Sequence, residues 1–213
     1  MSDLSTPDDP EDLWLASDFE DVPQARMLMQ GDIIAVGSDP VCVVSHACSM
    51  RRGSQLHETQ IVAPVRDQPN ALWNGSYDWM PLPGLRCAEI PAPAANLREI
   101  RSESTASLLA GRRIGVMADT GIHLLQQRMA HHLTRVVIAL AELAEHCAPV
   151  LAEADLHEEW VTELGAAVEP DFHTLLDRDN RKLRAWLEEA RTRHQAIATI
   201  RKEISARKIR ASG

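Results

Sequence analysis

Aromatic residues are scarce in this chain: two Phe, one Tyr and five Trp among 213 residues, 4% in all. A core made from it is therefore aliphatic. Cysteine is scarce too. Cys42, Cys48, Cys87 and Cys147 show no Cys-x-x-Cys spacing, which argues against a disulfide framework and against a paired-cysteine zinc site, and favours buried thiols. No apolar run approaches the length of a membrane span, and the N-terminus is acidic where a secretory signal is basic and then apolar. A cytoplasmic protein that does not enter a membrane is expected. The motifs GxxxxGK[ST], GxGxxG, HExxH and GxSxG are all missing, which excludes the usual nucleotide-driven machines and common hydrolases and leaves no cofactor or metal to expect.

What is present is an aliphatic, globular composition with 45% apolar residues, enough to bury a core and to exclude disorder throughout. The formal charge is -9, but the first 25 residues hold eight Asp or Glu and no Lys, Arg or His. The remainder is nearly neutral, so a local basic surface for nucleic acid stays open. At the other end, Arg201 to Gly213 holds five Lys or Arg against one Glu.

The punctuation of the chain changes twice. Residues 1–24 read as an acidic, mobile segment in which Leu13, Trp14, Leu15 and Phe19 form an apolar island able to dock. Residues 25–118 carry short Val- and Ile-rich runs between Gly, Pro, Asn and Asp, the pattern of strands and turns. The strands expected are Ile33–Val36, Val41–His46, Thr59–Val65, Leu85–Ile90, Leu97–Arg101 and Arg112–Met117. Six of the twelve prolines fall between Pro64 and Pro93. Their density predicts an irregular connection there, carrying Trp73, Tyr77 and Trp79.

Residues 119–213 read as a helical domain with a basic tail. Asp119 or Thr120 can cap its first helix, and Ile122, Leu125, Met129, Leu133, Val136, Leu140, Leu143 and Cys147 follow at helical steps. Two further helices are expected, one over "ADLHEEWVTELG" and one carrying Leu183 to Ile204. The fold class is α+β: a small N-terminal β-barrel followed by a C-terminal helical domain.

In "QGDIIAVGSDPVCVVSHACSM" two apolar runs flank Gly37-Ser38-Asp39-Pro40, a link short enough for an antiparallel hairpin. The order of Gly31-Asp32-Ile33, the strand Val41 to Ser45, and Ile61 to Asp67 resembles the MazF/PemK family of endoribonuclease toxins. That resemblance implies an Src-homology-3-like barrel, a bacterial toxin-antitoxin or phage-defence setting, and metal-independent cleavage of single-stranded RNA. The family places a long loop with an Arg-Pro pair between its first two strands. Here the link is short and reads Asp39-Pro40, so the family's catalytic arginine has no counterpart.

Metal-free RNA cleavage needs a base for the 2′-hydroxyl, an acid for the leaving oxygen and a cation for the phosphorane. His46 and Arg66 are the catalytic candidates, with Arg51 and Arg52 as RNA-binding cations. Trp73 and Trp79 are candidates for base stacking, beside the plainer reading as a loop's own small core. A strand histidine is also commonly a satisfied rim residue. Zinc on Cys42, His46 and Cys48 is disfavoured, because ligands strung along one strand do not converge. Cys48 beside His46 is a conceivable nucleophile without a third triad member.

On the first long helix Arg128, His132 and Arg135 recur at i, i+4 and i+7, a spacing suited to a phosphate or a partner's carboxylates, or to a solvated polar stripe. Two functions follow. One is a MazF/PemK-like barrel that binds or cleaves single-stranded RNA. The alternative is a catalytically silent adaptor or regulator, with the barrel and helical domain docking a protein partner or a second copy.

Overall fold

Strands β2 (Asp32–Val36) and β3 (Asp39–Val43) pair antiparallel, Val36 opposite Asp39 and Ile33 opposite Cys42. The turn is thus only Gly37-Ser38, and Asp39 and Pro40 belong to the strand. Gly37 takes φ +62°, the positive φ that two-residue hairpins of this twist require and glycine supplies without strain. A computed structural model describes residues 4–18, 20–24, 26–52, 55–75, 77–86, 90–148, 151 and 154–155, with the side chains of Cys48, Arg51, Arg52 and Gln55 outside that description.

The other elements, in chain order, are β1 (Trp14–Ala16), α1 (Ala47–Met50), β4 (Arg51–Arg52), β5 (Gln55–Leu56), β6 (Thr59–Asp67), β7 (Trp79–Pro81), β8 (Pro93–Asn96), β9 (Arg101–Ser104), α2 (Thr105–Ala110), β10 (Arg112–Met117) and α3 (Asp119–Thr134). All the large-sheet pairings are antiparallel, in the order β1-β10-β2-β3-β6-β8-β7. The result is a curled half-barrel with helices, an α+β fold. β6 is its long member: Thr59–Val62 pairs with β9, and Val65–Asp67 pairs with β8. Pro64, which has no N–H to give to a ladder, falls at the handover.

The curl is tied across its open side. Trp14 on edge strand β1 donates its indole N–H to the Pro83 carbonyl, just past edge strand β7, at 2.7 Å. Arg86 N–H reaches the Ser17 carbonyl at 3.2 Å. A side chain on Gly115 would collide with Leu85 and press on Trp14, so the indole fits only over a glycine. Both sheet faces are buried. Ile34, Val41, Val43 and Val62 pack with Leu28, Met50 and Leu108 of α2, while Ile33, Cys42, Ala63 and Val65 on the alternate face are fully enclosed, as the two-residue period of a strand dictates.

Leu13 and Trp14 of the N-terminal island dock, buried with Leu4 and Val22, while Leu15 is exposed; β1 pairs with β10. Three expectations change. Leu85 and Arg86 form no strand but follow a turn at Gly84, φ +81°, and Leu97–Glu99 is a 3-10 turn capped by Asn96. The first helix also stops early. It runs to Thr134, Arg135 turns left-handed (φ 63°), and helix resumes at 140–148. Thr134 Oγ1 donates back to the Ala130 carbonyl at 2.6 Å and accepts from Val136 N–H at 3.2 Å. The β-branched run Val136-Val137-Ile138 then disfavours helix, and the Gln127 amide captures the Ile138 carbonyl at 2.7 Å.

The chain divides into two compact units, Met1–Gln24 with Leu28–Cys147 and Ala25–Met27 with Ala148–Gly213, and α3 falls in the first with the half-barrel sheet. In the second unit Arg26 and Asp155 form an ion pair at 3.5 Å. Ala154 and Asp155, the start of the helix expected over "ADLHEEWVTELG", are helical; the rest of that helix and the whole of the last one lie outside the described residues.

Candidate functional site

Helix α3 is preceded by Ala118, which offers no side-chain cap; the entry to the helix is held instead by Ala118 N–H on the Leu13 carbonyl at 2.9 Å. Neither Asp119 nor Thr120 is the capping residue. From Gly121 to Arg128 every residue is buried, because the barrel and the N-terminal segment cover different sides, the latter through Ser5 N–H on Gln127 Oε1 at 2.7 Å. The loop of residues 70–79 covers a third.

That loop brings together residues that the sequence nominated separately. Arg128 is fully buried, donates to the Trp79 carbonyl at 2.9 Å and to the Trp73 carbonyl, and lies 4.8 Å from the centre of the Trp73 ring. Burial pulls its pKa down to about 10, with Tyr77 acting the other way, so it remains a cation at neutral pH. Tyr77 stacks obliquely on His131, ring centres 4.9 Å apart. His132 Nδ1 sits 3.1 Å from Asp78 Oδ1, and Asp78 Oδ2 takes an ion pair from Arg98 at 2.6 Å. Trp73, Tyr77 and Trp79 are half-buried. Arg135, at the left-handed end of the helix, is exposed.

The two catalytic candidates lie elsewhere and apart. Val44 and Ser45 N–H groups both reach the Ile61 carbonyl, at 2.9 and 3.1 Å, and Ser45 Oγ accepts from Ile61 N–H at 2.7 Å. His46 therefore leaves the sheet beside the start of β6. Arg66 is at the other end of β6, 3.5 Å from Asp39, its side chain half-buried and that of Asp39 exposed. Five residues of strand at about 3.3 Å each put roughly 16 Å between Ile61, beside which His46 leaves the sheet, and Arg66. Arg51 and Arg52 pair antiparallel with Leu56 and Gln55; the side chains of the two arginines, like that of Cys48, lie outside the described part.

His46 has a different neighbour. Its Nε2 is 3.7 Å from the buried thiol of Cys147, whose sulfur donates to Gln126 Oε1 at 3.2 Å. The Gln126 amide donates to Gln30 Oε1 at 2.8 Å, and the Gln30 amide to the Val44 carbonyl at 2.9 Å. His46 is exposed by area, yet the mass of protein on its inner side lowers its pKa by desolvation. Cys42 contrasts: it is wholly buried, and desolvation with the Asp32 charge drives its thiol far above the ordinary range. Asp32, the acid of the Gly31-Asp32-Ile33 motif, forms a buried ion pair with Arg113 at 3.2 Å and accepts from Met29 N–H at 2.9 Å. Among the described residues no group of three His, Cys, Asp or Glu is placed to hold a metal ion, and no helix is long and apolar enough to cross a membrane.

Sequence reading missed Asp78, Arg98, Gln30, Gln126 and the pairing of Cys147 with His46. Two signals were available. Asp78 sits between Tyr77 and Trp79, and Gln126 lies four residues after Ile122 on the apolar seam of the helix, where a polar residue needs a partner. Nothing local announces Arg98 or a pairing across 101 residues. No family model matches the chain, and no curated protein matches it.

Proposed function

We propose that the chain is a MazF/PemK-like, Src-homology-3-like barrel that serves as an adaptor or regulator, docking a protein partner and leaving RNA uncut. The observation that carries this reading is the separation of His46 and Arg66 at opposite ends of the β3–β6 ladder. A general base and a phosphorane-binding cation must act on one phosphodiester, within hydrogen-bond reach of adjacent atoms. Roughly 16 Å of intervening strand prevents that. Of the other nominated cations, Arg128 is engaged by two backbone carbonyls and the Trp73 ring, and His132, like Arg98, is engaged by Asp78.

A recognition role also agrees with the short Gly37-Ser38 turn, which replaces the long loop that the toxin family uses on RNA. Leu133 and Val136 at the end of α3 are 64% and 56% exposed, apolar side chains on the segment that the sequence assigns to partner or self-association. Co-expression with the products of adjacent genes tests this. A complex of fixed stoichiometry that survives gel filtration, and that Leu133→Asp with Val136→Asp weakens, is the expected result; a monomer with none of them bound contradicts it.

RNA binding without cleavage is the second reading, favoured by the half-buried Trp73, Tyr77 and Trp79 gathered in one loop. Stacked bases would quench their fluorescence, in a manner that fades as salt rises.

A further inference from the structure

The sequence singles out His46 and separately doubts the cysteines. The fold joins the two at a place that protein docking does not use. Cys147 Sγ has two acceptors around it, Gln126 Oε1 at 3.2 Å and His46 Nε2 at 3.7 Å. Rotation about the Cβ–Sγ bond carries the thiol proton from the glutamine oxygen to the imidazole. Gln126 is itself fixed through Gln30 to the Val44 carbonyl, two residues before His46, so one relay sets both members of the pair. A nucleophile beside a base, oriented by neighbours, is the arrangement that activates a thiol.

We propose that Cys147 and His46 form a thiol–imidazole site at which a small peroxide oxidises Cys147 to its sulfenic acid. His46 Nε2 takes the thiol proton, the thiolate attacks one peroxide oxygen, and the O–O bond breaks. The departing hydroxide recovers the proton from His46 and leaves as water. Sulfur loses two electrons and the peroxide gains them, so hydrogen peroxide and the thiol give the sulfenic acid and one water. Desolvation lowers the pKa of His46, so the resting imidazole is neutral and Nε2 presents its lone pair toward the thiol. His46 is exposed while Cys147 is 4% exposed, which limits the oxidant to something of the size of hydrogen peroxide, arriving past the imidazole. Oxygen on Sγ would displace the hydrogen bond to Gln126, linking oxidation to the relay. This site stands independently of the docking reading.

The test treats the full chain with hydrogen peroxide and dimedone and follows the adduct on each cysteine peptide by mass spectrometry. Cys42 is the internal reference, as a thiol that burial makes inert. Cys147 is expected to react at least tenfold faster than Cys42, and His46→Ala to slow it by about a hundredfold, the lower end of what a positioned proton acceptor supplies. His46→Gln, which keeps a polar side chain but accepts no proton at neutral pH, is expected to slow it alike and covers a failure of the alanine variant to fold. Reaction at Cys147 no faster than at Cys42, or undiminished in both His46 variants, overturns the proposal.

Discussion

The guanidinium of Arg128 lies 4.8 Å from the centre of the Trp73 ring and donates to the carbonyls of Trp73 and Trp79. A cation that the sequence offers to a phosphate, to a partner's carboxylates or to a polar stripe here staples the loop carrying Trp73 and Trp79 to a helix. Arg128→Ala leaves two inward carbonyls without a charged donor and removes the cation–π contact, a loss of about 2–4 kcal/mol. Arg128→Lys is expected to recover only part of it, since an ammonium cannot fork to two carbonyls. Urea midpoints followed by tryptophan fluorescence measure both; an unchanged midpoint for Arg128→Ala contradicts the assignment.

Trp14 closes the sheet from the N-terminal segment. Trp14→Phe keeps most of the ring but loses the bond to the Pro83 carbonyl, and is expected to cost about 1 kcal/mol. Trp14→Ala also opens a cavity against Gly115 and Leu85 and is expected to cost about 3–5 kcal/mol. Equal midpoints for wild type and Trp14→Ala in urea denaturation mean that residues 13–16 do not belong to the fold.

Stability is expected to fall below about pH 6.5 in part through His123. It is buried, and desolvation lowers its pKa, with Asp119 opposing the shift. Between its lowered folded value and its ordinary unfolded one, the unfolded chain binds a proton that the folded chain refuses. Acid therefore favours unfolding, by at most about 1.4 kcal/mol per pH unit from one such group. Melting temperatures at pH 7.5 and 5.5 for wild type and His123→Gln test this: the variant's acid-induced drop is expected to be the smaller, and equal drops exclude His123 as a source.

The hairpin and the long strand were legible because their signals are local. Ile33–Val36, Thr59–Val65 and Arg112–Met117 alternate or run apolar between turn residues, and each appears in the sheet with small changes at its ends. Leu97–Glu99 was not legible as a turn, because its cap, Asn96, acts through one side-chain bond that competes with strand propensity. The stop at Thr134 was hidden by the continuing three-and-four spacing of apolar residues. What decides it is a threonine back-bond and the capture of the Ile138 carbonyl by Gln127. The site was legible in residue types and illegible in its pairings. His132 with Asp78, Asp78 with Arg98 and His46 with Cys147 are set by how the half-barrel sheet curls, and a sequence carries no local trace of that.

Incubation of the full chain in molar excess with a long single-stranded RNA, in EDTA, tests the central claim most directly. With His46 and Arg66 at opposite ends of one ladder, the RNA is expected to remain intact over a range of pH. Discrete fragments that disappear in both His46→Ala and Arg66→Ala, each still folded, would contradict it.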